Sequence, residues 1–193
     1  MKSLLVYCGA NPGNDPIYKE TAIALGKEMV ARGMTLVYGG GSLGLMGTIA
    51  DTVLAGGGKV IGIIPTFLDK LEVGHKNLSE IHIVETMHER KALMEKLCDG
   101  IITLPGGYGS MDELFEILSW SQLGLHTKPV GLLNVKNFYD LLVKQLDHMV
   151  VEGFLKTQNR EILQVADTIE EVLSLMDNYK PQPAFKWLER DDV

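Results

Sequence analysis

The sequence predicts an α/β protein, a Rossmann-like, doubly wound and mostly parallel sheet with helices on both faces. Three observations carry the prediction. Short apolar runs alternate with helical patterns from one end of the chain to the other. The strand candidates are apolar throughout rather than alternating, as expected where helices cover both faces. Glycine-rich turns leave several of these runs and open the next helix, a common junction in such sheets.

The elements follow in order. "SLLVYCG" reads as a strand, and "DPIYKETAIALGKEMVARG" as a helix capped by Asp15 with Pro16 at its first position. Strand "MTLVYGG", helix "LGLMGTIADTVLAGG" and strand "KVIGIIP" come next, then a loop over residues 66–80 and strand "IHIVE". Helix "MHERKALMEKLCD" precedes strand "GIITLPGG" and a helix predicted to open at Ser110, "SMDELFEILSWSQLG". Strand "PVGLLNV", helix "NFYDLLVKQLDHMVVEG" and a last helix, "TIEEVLSLMDNY", complete the pattern. Residues 1–180 form one predicted domain. Residues 181–193 are a polar tail broken by Phe185, Trp187 and Leu188, either frayed or docked through those three.

Composition excludes several classes. A net charge of −7 with no run of Lys or Arg leaves little footprint for nucleic acid or an anionic membrane. No segment approaches transmembrane length, and the first apolar run is too short for a secretory signal. Cys8 and Cys98 lie in apolar segments without metal-type spacing, so buried reduced thiols and a cytoplasmic protein are expected. The five histidines lack metal-ligand spacing as well, and no metal is expected.

In a doubly wound sheet, ligands collect beyond the C-terminal ends of the strands. Four segments should converge there: "CGANPGN", "GGGSLGLMG", "TMHERK" and "LPGGYGSMDE". The second contains a literal G-x-G-x-x-G, but it follows the second strand, and the next strand ends "IIPTF" with no acid placed for an adenosine ribose. A dinucleotide is therefore disfavoured. Gly40 and Gly41 either serve a tight turn or let a mononucleotide approach, and Ser42 either binds phosphate or caps the following helix.

"PGGYG" is the better phosphate cradle, with the amides of residues 106–110 and a helix N-terminus beside them. Ser110 and Glu113 have capping-box spacing, which would explain acids in a first turn without invoking function. Against that stands Arg90, on the same helical face as the apolar Leu93 and Met94. An inward guanidinium needs a phosphate or carboxylate partner. Either Arg90 and Glu113 form a structural pair, or both face one ligand. An Arg and a Glu beside an anion cradle suit hydrolysis of the N-glycosidic bond of a nucleoside 5′-monophosphate. There a carboxylate stabilises an oxocarbenium-like centre or orients water. Met87 is a candidate for the base pocket. Tyr108 either stacks on a base or shapes the turn. Met29, Met46, Met94 and Met111 are expected in the core.

"GGGSLGLMG", "MHERK" and "PGGYGSMDELFE" together resemble the signatures of the LONELY GUY family, the cytokinin riboside 5′-monophosphate phosphoribohydrolases. Many of its members once carried the label "lysine decarboxylase". The resemblance spans roughly residues 3–178, including "WSQLGLHTKPVGLLNV". It implies a Rossmann-like homodimer with sites near the subunit interface, a nucleotide substrate and no metal or redox cofactor. Its catalytic Arg and Glu fall on Arg90 and Glu113. Its substrate contacts fall on Lys91 and on the stretch Gly107, Tyr108, Gly109, Ser110, Met111, Asp112 and Glu113. A looser match adds Ser119 and Glu72. Ser110 stands where the family has Thr, and Asp112 where it has Glu, keeping hydroxyl and charge. Two rivals are a nucleotide or cofactor carrier of the molybdenum-cofactor carrier kind, with no use for the Arg–Glu pair, and an NAD-linked oxidoreductase, disfavoured by the missing ribose acid.

Overall fold

Seven parallel strands form a single sheet in the order 4-3-2-1-5-6-7. They are β1 (Ser3–Tyr7), β2 (Thr35–Tyr38), β3 (Val60–Pro65), β4 (Glu80–Val84), β5 (Gly100–Thr103), β6 (Val130–Leu133) and β7 (Leu163–Ala166). The computed structural model describes residues 1–70 and 74–181. The connecting helices are α1 (Pro16–Ala31), α2 (Gly44–Ala55), the single turn α3 (Thr66–Asp69), α4 (Met87–Lys96), α5 (Tyr108–Gln122), α6 (Asp140–Val151), the short α7 (Thr157–Arg160) and α8 (Ile169–Asp177).

Two apolar layers sandwich the sheet, so its strands need no polar face. Leu4, Val6, Leu36 and Tyr38 pack under α1, α2 and α8 through Leu25, Met29, Ile49 and Leu173. Leu5, Tyr7, Val37 and Ile101 pack on the opposite side with Met94 of α4, Leu114 and Ile117 of α5 and Leu146 of α6. Only the edge strand β4 alternates, and there the isoleucines Ile81 and Ile83 are the exposed set.

The strand order reverses between β1 and β5, which pair directly with Tyr7 opposite Thr103. The loops leaving these two strands must therefore diverge, opening a crevice at the C-terminal edge of the sheet. The amide of Gly9 donates to the Pro105 carbonyl at 3.1 Å and ties the two loops together at the crevice floor.

Three expectations need correction. β7 is missing from the sequence reading because "LQVA" is short and interrupted by Gln164. α5 opens at Tyr108 with Gly107 as its N-cap, not at Ser110. Ser110 and Glu113 thus form no capping box, and Asp112 and Glu113 stand in the second turn, past the positive end of the helix. A related reciprocal cap stands at α4: Thr86 Oγ1 accepts from the Glu89 amide at 3.1 Å, and Glu89 Oε2 accepts from the amide of Glu85, the residue before the cap, at 2.9 Å.

Candidate active site

The loops after β1 and β5 enclose a cleft of about 470 Å3, of a size that suits a nucleotide. Gly106, Gly107, Tyr108, Gly109 and Ser110 form one wall, and Arg90 and Glu113 stand beside it. Across the cleft lie Cys8 and the following loop through Gly13, with Tyr18, Leu45, Met46, Leu68 and Phe138.

The glycine wall presents backbone donors. The first intrahelical bond of α5 runs from the Met111 amide to the Gly107 carbonyl at 3.1 Å, so the amides of residues 108–110 have no partner within the helix. In α1, α4 and α8 the side chains of Asp15, Thr86 and Thr168 accept such an amide, but Gly107 has no side chain to do so. Tyr108 and Gly109 are exposed, and Tyr108 is 97% accessible. This helix end therefore offers donors and a positive dipole to an anion entering the cleft. Ser110 is buried against the loop, and a Cβ on Gly106 would stand 2.1 Å from its Oγ, so the turn closes this tightly only with glycine there.

Arg90 enters from below. Its Nε donates to the Ile63 carbonyl at 3.2 Å and its Nη2 to the Gly39 carbonyl at 3.3 Å, leaving Nη1 to meet Glu113 Oε1 at 3.2 Å. Both partners are buried, Arg90 at 7% and Glu113 at 9% accessibility. A Cβ at Gly39 would lie 1.9 Å from Nη2. The first glycine of the G-x-G-x-x-G match therefore makes room for a guanidinium.

Burial raises the Glu113 carboxyl to about 7, and Asp112 and Glu116 push in the same direction. Arg90 and Lys91 oppose the shift without cancelling it. Loss of hydration outweighs the ion pair here because a single Nη1 contact replaces the several waters an exposed carboxylate would hold.

The remaining candidates separate in space. Lys91 points away from the cleft, to Asp112 Oδ2 at 2.7 Å and Glu116 Oε2 at 3.2 Å. Met111 packs on the core under α5. Ser119 lies nearly two turns along α5 beyond Glu113, and its hydroxyl donates to the Phe115 carbonyl. Met87 sits behind Arg90, its sulfur 4.0 Å from Nη1. Gly40 and Gly41 hold a neighbouring segment: the Gly40 carbonyl accepts from the His75 amide, and Gly41 bridges Gly74. Ser42 is exposed beside them, and none of these seven belongs to the lining of this cleft. Glu72 lies outside the described residues.

Met46 lines the cleft although its helical spacing suggests core. Tyr18 and Phe138 were missed because each comes from an element whose local pattern reads as helix surface. They meet edge-on at 5.8 Å to form the apolar end of the cleft.

Fold and site define an α/β protein with an anion-binding crevice and a buried Arg–Glu pair. Residues 46–176 match a family model described as "Possible lysine decarboxylase". The chain is 51% identical over 176 residues to the "Probable cytokinin riboside 5′-monophosphate phosphoribohydrolase LOGL1" of Oryza sativa subsp. japonica, covering 91% of this chain and 79% of that protein. It is 46% identical over 181 residues to the cytokinin riboside 5′-monophosphate phosphoribohydrolase LOG1 of Arabidopsis thaliana, covering 94% and 85%. The chain belongs to this family, the LONELY GUY phosphoribohydrolases. Among solved structures, the molybdenum cofactor carrier protein of Chlamydomonas reinhardtii superposes with a TM-score of 0.65 at 17% identity over 92% of this chain and 97% of that one. The molybdenum cofactor binding protein of Rippkaea orientalis gives 0.68 at 18% over 92% and 96%. At such identities the likeness concerns the fold.

Proposed function

We propose that this chain hydrolyses the N-glycosidic bond of adenine-type nucleoside 5′-monophosphates, AMP and its N6-prenylated forms, to free base and ribose 5-phosphate. The observation that carries the reading is the juxtaposition of unbonded amides at the start of α5 with the buried Arg90–Glu113 pair in one cleft. The named activity of relatives about half identical supports it.

In this mechanism the phosphate takes the unbonded amides of residues 108–110, which fixes the ribose above Glu113. The C1′–N bond breaks with its electron pair leaving on the base, and positive charge grows on the ribosyl ring. Ionised Glu113 stabilises that charge. Water then adds to C1′; its oxygen stays on the sugar, and one proton passes to solvent or the carboxylate while the base nitrogen is protonated. Arg90 is held by two carbonyls and keeps the carboxylate aimed. The apolar end formed by Tyr18, Phe138 and Leu45 suits the base or its apolar substituent.

A decarboxylase reading finds no lysine among the described residues that line the cleft. Schiff-base chemistry uses a lysine that deprotonates easily, whereas Lys91 is clamped as an ammonium by two carboxylates. Burial works against its charge, but the hydrogen bonds from Asp112 and Glu116 outweigh burial and raise its pKa.

The working form is proposed to be a cytoplasmic homodimer. Exposed Ile81 and Ile83 on the β4 edge, with Phe115, Leu123 and Leu125 along and after α5, support a second copy as the cover. Cys8 and Cys98 are buried and not joined to each other, which suits a reducing compartment. Among the described residues no helix is long and apolar enough to cross a membrane. Light scattering at micromolar concentration should return twice the chain mass; a monomer would remove the dimer.

Product analysis tests the activity itself. Incubation with AMP and, separately, isopentenyl-AMP should release base and ribose 5-phosphate in equal amounts. Nucleotide binding with no release from either would refute the hydrolase and leave a carrier.

A further inference from the structure

The turn that leaves β6 stands between two hollows. Phe138 lines the cleft, while Val135 and Lys136 line a separate hollow of about 470 Å3 with Ile17, Leu133 and Ile169. Within this turn Lys136 and Asn137 take φ of 53° and 60°. Among the described residues they are the two non-glycine residues in the left-handed region. Asparagine tolerates that backbone, whereas lysine adopts it at a steric cost, so the surroundings must hold it there.

The holders are identifiable. Asn134 Oδ1 accepts from the Tyr139 amide at 2.7 Å, and its Nδ2 donates to Asp140 Oδ1 at 2.9 Å and Asp167 Oδ1 at 3.2 Å. The buried Tyr139 hydroxyl donates to the Leu104 carbonyl at 2.7 Å. These bonds fix both ends of the turn. At its apex the Lys136 ammonium meets Asp15 Oδ2, 121 residues away in sequence. Asp15 Oδ1 meanwhile caps α1 by accepting from the Ile17 amide at 3.0 Å. The pair thus fastens the turn to the start of α1, in whose first turn Tyr18 meets Phe138 edge-on at 5.8 Å. Phe138 also meets Tyr139 edge-on at 4.8 Å.

Resting on the nucleotide-hydrolase reading, we propose that Asp15 and Lys136 are positioning residues for base selectivity. Their ion pair holds the turn in its left-handed form, which keeps Phe138 against Tyr18 and the apolar end of the cleft narrow enough to grip an N6-alkyl substituent. Neither side chain lines the cleft. The pair is solvent-accessible, at 63% for Lys136 and 34% for Asp15, so it adds little to overall stability and its effect is local. With the pair broken, the turn relaxes toward the hollow behind it and carries Phe138 away. That loss weakens an N6-alkylated nucleotide and spares AMP, which has no substituent to grip.

The test is the ratio of kcat/KM for isopentenyl-AMP to that for AMP. Lys136→Met removes the ammonium. Asp15→Asn removes the charge but still caps α1, since asparagine is as good an N-cap as aspartate. Each should lower the ratio about threefold to fivefold, the scale of an exposed ion pair, with AMP turnover within about twofold of wild type. Lys136→Arg should keep the wild-type ratio. In a Phe138→Ala background neither change should lower the ratio further, because the wall they position is gone. In wild type, about 1 M NaCl should bring the ratio toward that of the variants by screening the pair.

An unchanged ratio in both single variants would overturn the proposal. An equal loss for the two nucleotides would overturn it as well, marking a general loosening, and so would a full further loss in the Phe138→Ala background. If wild type binds both nucleotides but releases no base, the hydrolase reading alone fails. The same ratio, read from calorimetric affinities, then decides for or against the ion pair. Should wild type bind neither nucleotide, both fail.

Discussion

Replacing Glu113 with glutamine should stabilise the protein above neutral pH, although it removes one half of a buried ion pair. Glu113 titrates near 7 in the folded protein against an ordinary 4.5. The folded chain therefore holds this proton more tightly than the unfolded chain does. Its contribution to stability is complete below about 4.5, declines as pH rises, and is lost above about 7. At about 1.4 kcal/mol per pH unit, the wild type gives up about 3 kcal/mol over that window. Glutamine resembles the protonated acid and cannot ionise, and its carbonyl can still accept from Arg90 Nη1. Glu113→Gln should match wild type near pH 4.5 and exceed it by about 3 kcal/mol at pH 8, or roughly 6–12 °C in Tm for a chain of this size. The assay is urea or thermal unfolding across that pH range at one fixed protein concentration, since a dimer's stability depends on concentration. A gap that does not change with pH, or a variant less stable than wild type at pH 8, would contradict a Glu113 carboxyl whose pKa is raised by burial. It would mean that Arg90 dominates burial and that Glu113 is an ordinary ionised partner.

Further predictions concern the surrounding residues. Gly39→Ala places a methyl where Arg90 Nη2 now lies, so it should cut kcat at least about tenfold and raise the pH midpoint while leaving nucleotide affinity nearly intact, as calorimetry and a pH–rate profile would show. Thr86→Ala removes the side-chain cap of α4 and should cost about 1 kcal/mol in urea unfolding; an unchanged midpoint would contradict the cap. Phe138→Ala opens the apolar end of the cleft and should weaken isopentenyl-AMP more than AMP, read as the ratio of kcat/KM for the two, by about tenfold.

Much of the fold was legible because its signals are local. Apolar runs, Asp15–Pro16 and the glycine turns each specify an element without tertiary information. β7 failed this test because its place is set by pairing with β6 and packing under α8, neither visible in "LQVA". Start sites proved harder. The spacing Ser110-x-x-Glu113 satisfies a capping box on paper, yet burial of Ser110 against Gly106 and burial of Glu113 at Arg90 draw both into the helix interior face. The Arg90–Glu113 pair was legible from the cost of an inward guanidinium. The direction of Lys91 was not, since adjacent helical positions diverge by about 100° and only the neighbouring helix decides what each meets. Tyr18 and Phe138 come from opposite halves of the chain and acquire a shared role only when strand order reverses at β1 and β5.

Ionised Glu113, held by Arg90 in an anion-binding cleft, is proposed to break the glycosidic bond. The most direct measurement is kcat/KM for nucleotide hydrolysis between about pH 5 and about pH 9, with Glu113→Gln assayed alongside for both turnover and binding. The rate should rise about tenfold per pH unit to a plateau above about 7. The glutamine variant should bind nucleotide and not turn it over. A profile flat through that range, or a variant with near-normal rate, would contradict that role of Glu113.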